Sequence, residues 1–467
     1  MDKTKMIKVG GLFALGTVMM FFPVPEGLTP KAWTMFVIYF VAILGLIVKP
    51  FPEPVVMFAA IGVSSLMLGN LNQILRGGFA SSTTWLVFAA FTLSVAFSKT
   101  NLGRRIAYWL MYSIGNSTLG IGYVTAGIEV ILAPATPANT ARSGGIVFPI
   151  LNSVAQALDS EPGPTARRAG AYFMVNLWNV MKTSSYMFMT AMGANVVAVE
   201  VCKNVLGIDV NWTKWAIAAS VPGIIMLVAV PLLVYLIFPP EIKKIDGKSM
   251  AVEGLKKLGP MSIREKLLLC IFILSLLGWI FGETLKIHPA AVGISAMGAC
   301  LVLCVIDWKD LLGSGGAWTT LSWFGGIIGL SSALTQTGFF KWLAALMGTF
   351  VPQAPGFTSL AIVVFLSVIV RYFFASGSAY VAAMMPVFLS VGAAAGAPAG
   401  ALLYMLLFSN SYGGMVTHYG GAAGPILYGA GYTDVKAWWI VGGAMALVSY
   451  AVHMTIGVFW LQIIGYY

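Results

Sequence analysis

Charge is scarce in this chain. Only 9% of its 467 residues are Asp, Glu, Lys or Arg, against about 25% in a soluble domain. Acids are the scarcer sign, 16 against 27 Lys and Arg. Histidine occurs three times and cysteine four. Cys202, Cys270, Cys300 and Cys304 lie in or beside apolar runs, without metal-ligand spacing or a disulfide framework, so they read as packing residues. No HExxH, aspartate-rich, GxSxG or Walker signature occurs in a fitting context, and no cofactor or metal is implied. An enzyme is therefore not expected.

What remains is apolar. Hydrophobic residues make up 59% of the chain, and mean hydropathy is +0.88. Many runs reach the roughly 20 residues that a spanning helix needs. Gly, Pro and Trp punctuate these runs, rather than short alternating segments, which argues against an outer-membrane barrel. The expected class is an all-α polytopic membrane protein. The net charge of +11 does not point to nucleic acid, because the basic residues sit mostly in loops, where the positive-inside rule places them on the cytoplasmic face. The first apolar segment, after Lys3, Lys5 and Lys8, has no small-residue cleavage site, so it reads as a retained helix rather than a signal peptide. The partner so far is a lipid bilayer, the cell (plasma or inner) membrane.

One stretch breaks the apolar pattern. Pro134 and Pro137 stand three residues apart, and small polar residues follow through Gly145. Each apolar arm beside this break is about a dozen residues, too short to span alone. The stretch therefore reads as the tip of a re-entrant hairpin over 120–152, since broken polar backbone is tolerated at membrane depth only where protein buries it or it lines a wet cavity. The same pattern returns over 357–390, with Ala375–Ala379 at the tip. Two further spans are interrupted, near Thr190–Asn195 and Thr417–Pro425. Surface helices are expected near Gly103–Ile114 and Gly338–Phe350.

Phe88 matches Phe324, Asn139-Thr140-Ala141 matches Gly377-Ser378-Ala379, and Pro149 matches Pro386, all 236 to 238 residues apart. Such a period marks an internal repeat. The expected organisation is an N-terminal helix (1–30), a first unit (31–238), a polar cytoplasmic linker (239–266) and a second unit (267–467). Each unit has five spans and a hairpin, so the second is inverted relative to the first. That makes about eleven spans and two hairpins. The N-terminus is expected inside and the C-terminus outside.

Tips and breaks at matched positions should converge near the midplane. They bring Ala138, Asn139, Thr140, Ser376, Gly377, Ser378, Thr190, Asn195, Thr417 and Gly421 toward one site. Half-helix N-termini with short amides and hydroxyls suit an anionic solute; the alternative is that these small residues only pack and cap helices. Lys182 and His418 are ionisable groups at the two breaks, where such groups are costly and usually functional. For Lys182 the alternative is snorkelling, for His418 a hydrogen-bonded core histidine. Arg142 stands beside the first tip, placed to pair with a substrate carboxylate, to cap the tip or to face the cytoplasm. Glu129 is expected to pair with a nearby cation.

At these residues the chain resembles the divalent anion:sodium symporter (DASS) family. That family carries Ser-Asn-Thr at each of two tips; here the tips read Ala138-Asn139-Thr140 and Ser376-Gly377-Ser378. Asn139–Pro149, Leu102–Arg105, Arg371–Ser376 and Tyr428–Tyr432 resemble the citrate/succinate and oxoglutarate/malate antiporter branch. The resemblance implies a homodimer with a scaffold and a moving transport domain, binding di- or tricarboxylates between the tips, with Na⁺ beside each tip in the symporters. Gly377 lacks the amide of the second tip. Lys182 and His418 then read as charges replacing sodium, and the expected function is Na⁺-independent exchange of succinate, malate, fumarate, 2-oxoglutarate or citrate. A Na⁺-coupled symporter and an anion channel are the alternatives.

Overall fold

The computed structural model describes residues 3–350 and 356–467; the expected 1–30 and 267–467 segments each include a few residues outside these. All regular elements among the described residues are helices. α1 (Lys3–Phe21) leads to α2 (Pro30–Val48), where the Thr29 hydroxyl accepts the Ala32 N–H at 3.2 Å and Pro30 opens the first turn. α3 (Glu53–Leu68) precedes α4 (Leu71–Gly78) and α5 (Ser82–Lys99), a pair bent by 50°. α6 (Leu102–Ile114) is the expected amphipathic helix. α7 (Thr118–Leu132), a π-helical stretch Thr140–Val147 and α8 (Phe148–Ala157) form the first hairpin. α9 (Gly170–Met187) and α10 (Gly193–Leu206) are the first broken span, and α11 (Trp212–Ile237) ends the unit.

The polar segment contains α12 (Gly247–Leu258). The second unit follows as α13 (Ile263–Ile280), α14 (Gly282–Leu285), α15 (Pro289–Val302), α16 (Trp308–Gly313), α17 (Gly315–Gln336) and α18 (Phe339–Phe350). α19 (Gly356–Arg371) and α20 (Gly377–Ala394) form the second hairpin. α21 (Ala399–Tyr412) and α22 (Gly424–Gly429) are the second broken span. α23 (Val435–Val452) runs through a π turn at His453–Gly457 into α24 (Val458–Ile463). The run from α5 to α11 is thus repeated in kind by the run from α17 to α23.

One expectation needs correction. One arm of each hairpin is longer than a dozen residues: Thr118–Ala135 and Gly377–Ala394 each have 18 residues and are apolar enough to cross alone, whereas α19 is shorter than these. In these two arms, length by itself does not keep the helix from crossing. The polar linker contains a helix. Asp246 accepts the Ser249 N–H at 3.0 Å and starts α12, and hydrogen bonding from the Ser249 side chain, with that N–H, holds the Asp246 carboxyl below its usual range. Gly254 then packs against the Tyr108 ring of α6. Among the described residues, six helices are individually long and apolar enough to span, or seven with the bent pair α4–α5 as one; α3, α15 and α19 are apolar but shorter.

Backbone contacts give the sidedness. At the base of the first hairpin the Thr118 N–H donates to the Lys243 carbonyl (3.1 Å), and the Ile242 N–H donates to the Arg168 carbonyl (2.9 Å). Ser160, past the far end of α8, accepts the Gly170 N–H at 2.9 Å. Both ends of the hairpin, the start of α9 and the linker thus share one level. The Tyr432 hydroxyl, just before α23, donates to Asn152 Oδ1 there as well (2.8 Å). The continuous helix from Val435 to Ile463 has 29 residues, a length of about 40 Å at 1.5 Å per residue. At its far end the Tyr466 carbonyl abuts Gly400. Near there, the Ser359 hydroxyl donates to the Ala395 carbonyl at 2.8 Å, closing the base of the second hairpin. The bases of the two hairpins thus lie at opposite ends of the α23–α24 helix.

Candidate functional site

The first tip is a braced turn. Arg142 is fully buried, and its Nε pairs with Glu129 Oε2 at 2.7 Å. Its Nη1 donates to the carbonyls of Thr136 (2.5 Å) and Ala191 (3.0 Å), and its Nη2 donates to Asn139 Oδ1 (3.0 Å), Ser184 Oγ and Ser185 Oγ. The Ser143 hydroxyl donates to the other Glu129 oxygen. The partner expected for Glu129 is therefore Arg142. The same network corrects one reading of Arg142. Its fork is spent on the tip and on the first break, so it holds the loop in shape and is not free for a substrate carboxylate. Pro149 has no N–H for the preceding turn, which suits the wider π-helical start of this arm. Asn139 remains half-buried with its carbonyl oxygen also taking the Ser185 hydroxyl at 3.2 Å. Ala138 and Thr140 flank it, also half-buried.

The first break leans on this tip. The Thr190 hydroxyl donates to the Pro134 carbonyl (2.5 Å) and accepts the Trp212 indole N–H (3.0 Å), so it ties the tip to α11. Asn195 Nδ2 donates to the carbonyls of Ser185 (2.7 Å) and Phe188 (3.1 Å), satisfying the backbone that the break leaves open. Both residues were expected to face substrate; both instead hold the break together.

The second tip meets the first break from the other side. Ser376 caps α20 by accepting the Ala379 N–H at 3.3 Å. A Cβ at Gly377 would stand 3.6 Å from the Ala194 methyl and 3.5 Å from Asn410 Oδ1. Ser378 is partly exposed on the next position. In place of the Glu129–Arg142 pair, this hairpin has the Tyr380 hydroxyl donating to the Ser367 carbonyl at 3.1 Å.

Two cations meet beside this tip. Lys182 Nζ and Arg371 Nη2 donate to one carbonyl, that of Gly420, at 2.7 and 2.8 Å. Lys182 also lies over the Trp178 ring at 4.6 Å. Arg371 Nε donates to the Asn410 carbonyl (3.2 Å), and its Nη1 to that of Phe374. Each cation is 1% exposed, so Lys182 does not snorkel. Gly414 and Gly421 make the space: a Cβ on either would sit 2.8 Å from Lys182 Nζ. Thr417 is buried on the same loop. Arg105 and Arg142, the other buried arginines, pair with Glu265 and Glu129. Among the described residues, Lys182 and Arg371 are thus the buried Lys and Arg side chains without a carboxylate partner.

His418 does not join them. Its ring lies on Tyr428, 4.4 Å between centroids, with Tyr419 at its edge. The second cation beside Lys182 is Arg371. It sits at the end of an apolar arm, and the rule that flagged Lys182 would have flagged it.

In chemical terms the site has two unneutralised cations, a capped helix start at Ser376 and an amide at Asn139. Removing paired-up charge from water is costly, and an unpaired buried charge more so. A dianion entering here would supply the missing counter-charge.

A family model described as the sodium:sulfate symporter transmembrane region matches residues 3–467. The chain is similar to "Inner membrane protein YbhI" of Escherichia coli, 50% identical over 98% of each chain. It is 37% identical to "Putative malate transporter YflS" of Bacillus subtilis, covering 97% of this chain and 95% of that one. With the "Citrate/succinate antiporter" of Escherichia coli it shares 34% identity over 94% of each. Its fold is also similar to that of the solved YdaH transporter of Alcanivorax borkumensis, with a TM-score of 0.57, 13% identity and coverage of 98% and 97%.

Proposed function

The chain belongs to the sodium:sulfate symporter family, a membrane transporter rather than an enzyme, and on that premise we propose that it exchanges di- and tricarboxylates without Na⁺. The observation that carries this reading is the pair Lys182 and Arg371 on the Gly420 carbonyl, buried and without a carboxylate. Relatives named as a putative malate transporter and a citrate/succinate antiporter support the substrate class.

The physical chain is short. Two fixed positive charges beside the tips do what two bound sodium ions would do for a dianionic carboxylate. Charge-assisted hydrogen bonds from ammonium and guanidinium groups are among the strongest available. With substrate bound, the site is close to neutral. Once substrate leaves, two charges remain in a low-dielectric interior and cannot follow it out. Moving that empty site across the membrane is costly, so return needs a second carboxylate. Exchange follows. The hairpins entering from opposite ends suit alternating access to one central site. We place the linker on the cytoplasmic face from its lysines, and read 31–238 and 267–467 as inverted units of a homodimeric carrier.

The test is counterflow in proteoliposomes. Vesicles loaded with succinate should take up labelled dicarboxylate in Na⁺-free buffer, while empty vesicles take up little. Uptake that requires Na⁺ would mean symport. Equal flux into empty vesicles, without saturation, would mean a channel.

A further inference from the structure

Asn410 has no partner for its side chain. It is 1% exposed, and both Oδ1 and Nδ2 lack a hydrogen bond. Asn176, Asn179 and Asn195 each leave Oδ1 unpaired but use Nδ2. Among the described residues Asn410 is the buried side-chain amide with both ends free. An unsatisfied buried group costs about 1–3 kcal/mol, so a doubly unsatisfied amide calls for an occupant.

Its position says which. Oδ1 stands 3.5 Å from where a Gly377 Cβ would be, so the amide is aimed at the second tip. Its own backbone carbonyl holds Arg371, one of the two site cations. The first tip offers the comparison. There Asn139, on the hairpin, contacts Ser185, on the broken helix. At the second tip the hairpin has Gly377, and the broken helix carries the amide. The amide has changed sides, and the missing side chain of Gly377 leaves it room.

The rest of the site is rich in donors: Lys182, Arg371 and the first N–H groups of α20. Carboxylate oxygens use donors only. An asparagine also brings a free acceptor, and a hydroxyl is the substrate group that needs one. Resting on the exchange reading above, we propose that Asn410 supplies the second-tip amide and selects carboxylates bearing a 2-hydroxyl, its Oδ1 accepting the hydroxyl proton and its Nδ2 donating to the neighbouring carboxylate.

Malate and succinate, which differ by that hydroxyl, are the probes. The purified full chain in proteoliposomes should exchange both, with an apparent KM for malate about tenfold or more below that for succinate. Asn410→Leu, which keeps the branched outline, though larger, and removes the amide, should raise the malate KM about tenfold or more and bring the two substrates level. Asn410→Ser, smaller and still polar, covers the case in which the leucine variant fails to fold; it should recover part of the malate preference. Thermal stability in detergent should hold for the variant used. A Gly377→Asn change in the wild-type background should compete for the same space and weaken malate more than succinate. Wild-type exchange with no malate preference, or a preference undiminished in Asn410→Leu or, where that variant fails to fold, in Asn410→Ser, would overturn the inference and leave the amide to a buried water. Failure to exchange either acid would instead sink the function proposed above.

Discussion

Lys182 and Arg142 look alike in the sequence, each a lone cation in apolar surroundings. The structure separates them by their partners. Arg142 is neutralised by Glu129 at 2.7 Å and bonded to both the tip and the break. Removing the acid leaves a buried guanidinium uncompensated, which typically costs 3–5 kcal/mol. Glu129→Gln should therefore lower stability by about that much in chemical denaturation, with exchange lost only in proportion to the folded fraction. Lys182→Met and Arg371→Met should do the opposite. Each relieves a buried charge, so the protein should stay folded or gain stability. Exchange should fall by at least about 100-fold, the scale of a lost charge-assisted contact to substrate. Stability and transport measured on the same preparations would sort the three residues into brace and site. A Lys182→Met variant that exchanged normally would remove the cation pair from the mechanism.

Among the elements, the pairing of α4 with α17 is the closest. A Cβ on Gly78 would lie 1.9 Å from the Gly325 carbonyl oxygen, and one on Gly329 would lie 2.3 Å from that of Ile74. Backbone meets backbone there, as small residues permit inside a membrane where the hydrophobic effect gives no drive between helices. Such an approach has no flexible side chain to give way. Gly78→Ala should thus reduce the yield of monodisperse protein and its melting temperature sharply. Gly62, in α3, faces open space, and Gly62→Ala should be neutral or slightly stabilising, by up to about 1 kcal/mol from helix propensity. Equal behaviour of the two variants in a thermal melt would show that the α4–α17 contact is looser than drawn. The hairpins make a related point. One arm of each hairpin is long enough to cross alone, yet the two arms are tied to each other, Ser143 reaching Glu129 in one hairpin and Tyr380 reaching Ser367 in the other.

At the scale of the whole molecule, the two hairpins close their bases at opposite ends of the α23–α24 helix. Glu161 and Glu253 are exposed near the first base and on the linker helix, while Tyr467 lies at the other end. In a background without the four native cysteines, a cysteine at 161 or 253 should react with a membrane-impermeant maleimide from one side only. One at 467 should react only from the other. The linker lysines predict the cytoplasm for the first side. Labelling of 161 and 467 from the same side would contradict the opposed entry of the hairpins. The same geometry gives exchange its logic. In the exchange we propose, a central site reached from two ends by two tips, and holding two fixed charges, would move readily only when filled.

Hydropathy, proline and glycine are local signals, and they were enough for the helical membrane class and for where its helices are interrupted. Lys182 was legible as well, because an ionisable residue in an apolar run stands out wherever it points. Partnership was not legible. Arg142 finds Glu129 only because the hairpin folds back. Thr190 becomes a brace only because Pro134 and Trp212 close on it. His418 was matched to Lys182 because each marks a break, and the packing put its ring on Tyr428 instead. Arg371 joins Lys182 across a loop of the second unit, and Asn410 is left unpaired beside them. Charge pairing and hydrogen-bond satisfaction act over a few ångströms, between residues that can lie about two hundred positions apart in the chain. The sequence by itself determined which groups are available in the membrane; the tertiary structure alone decided which of them neutralise one another and which are left for a substrate.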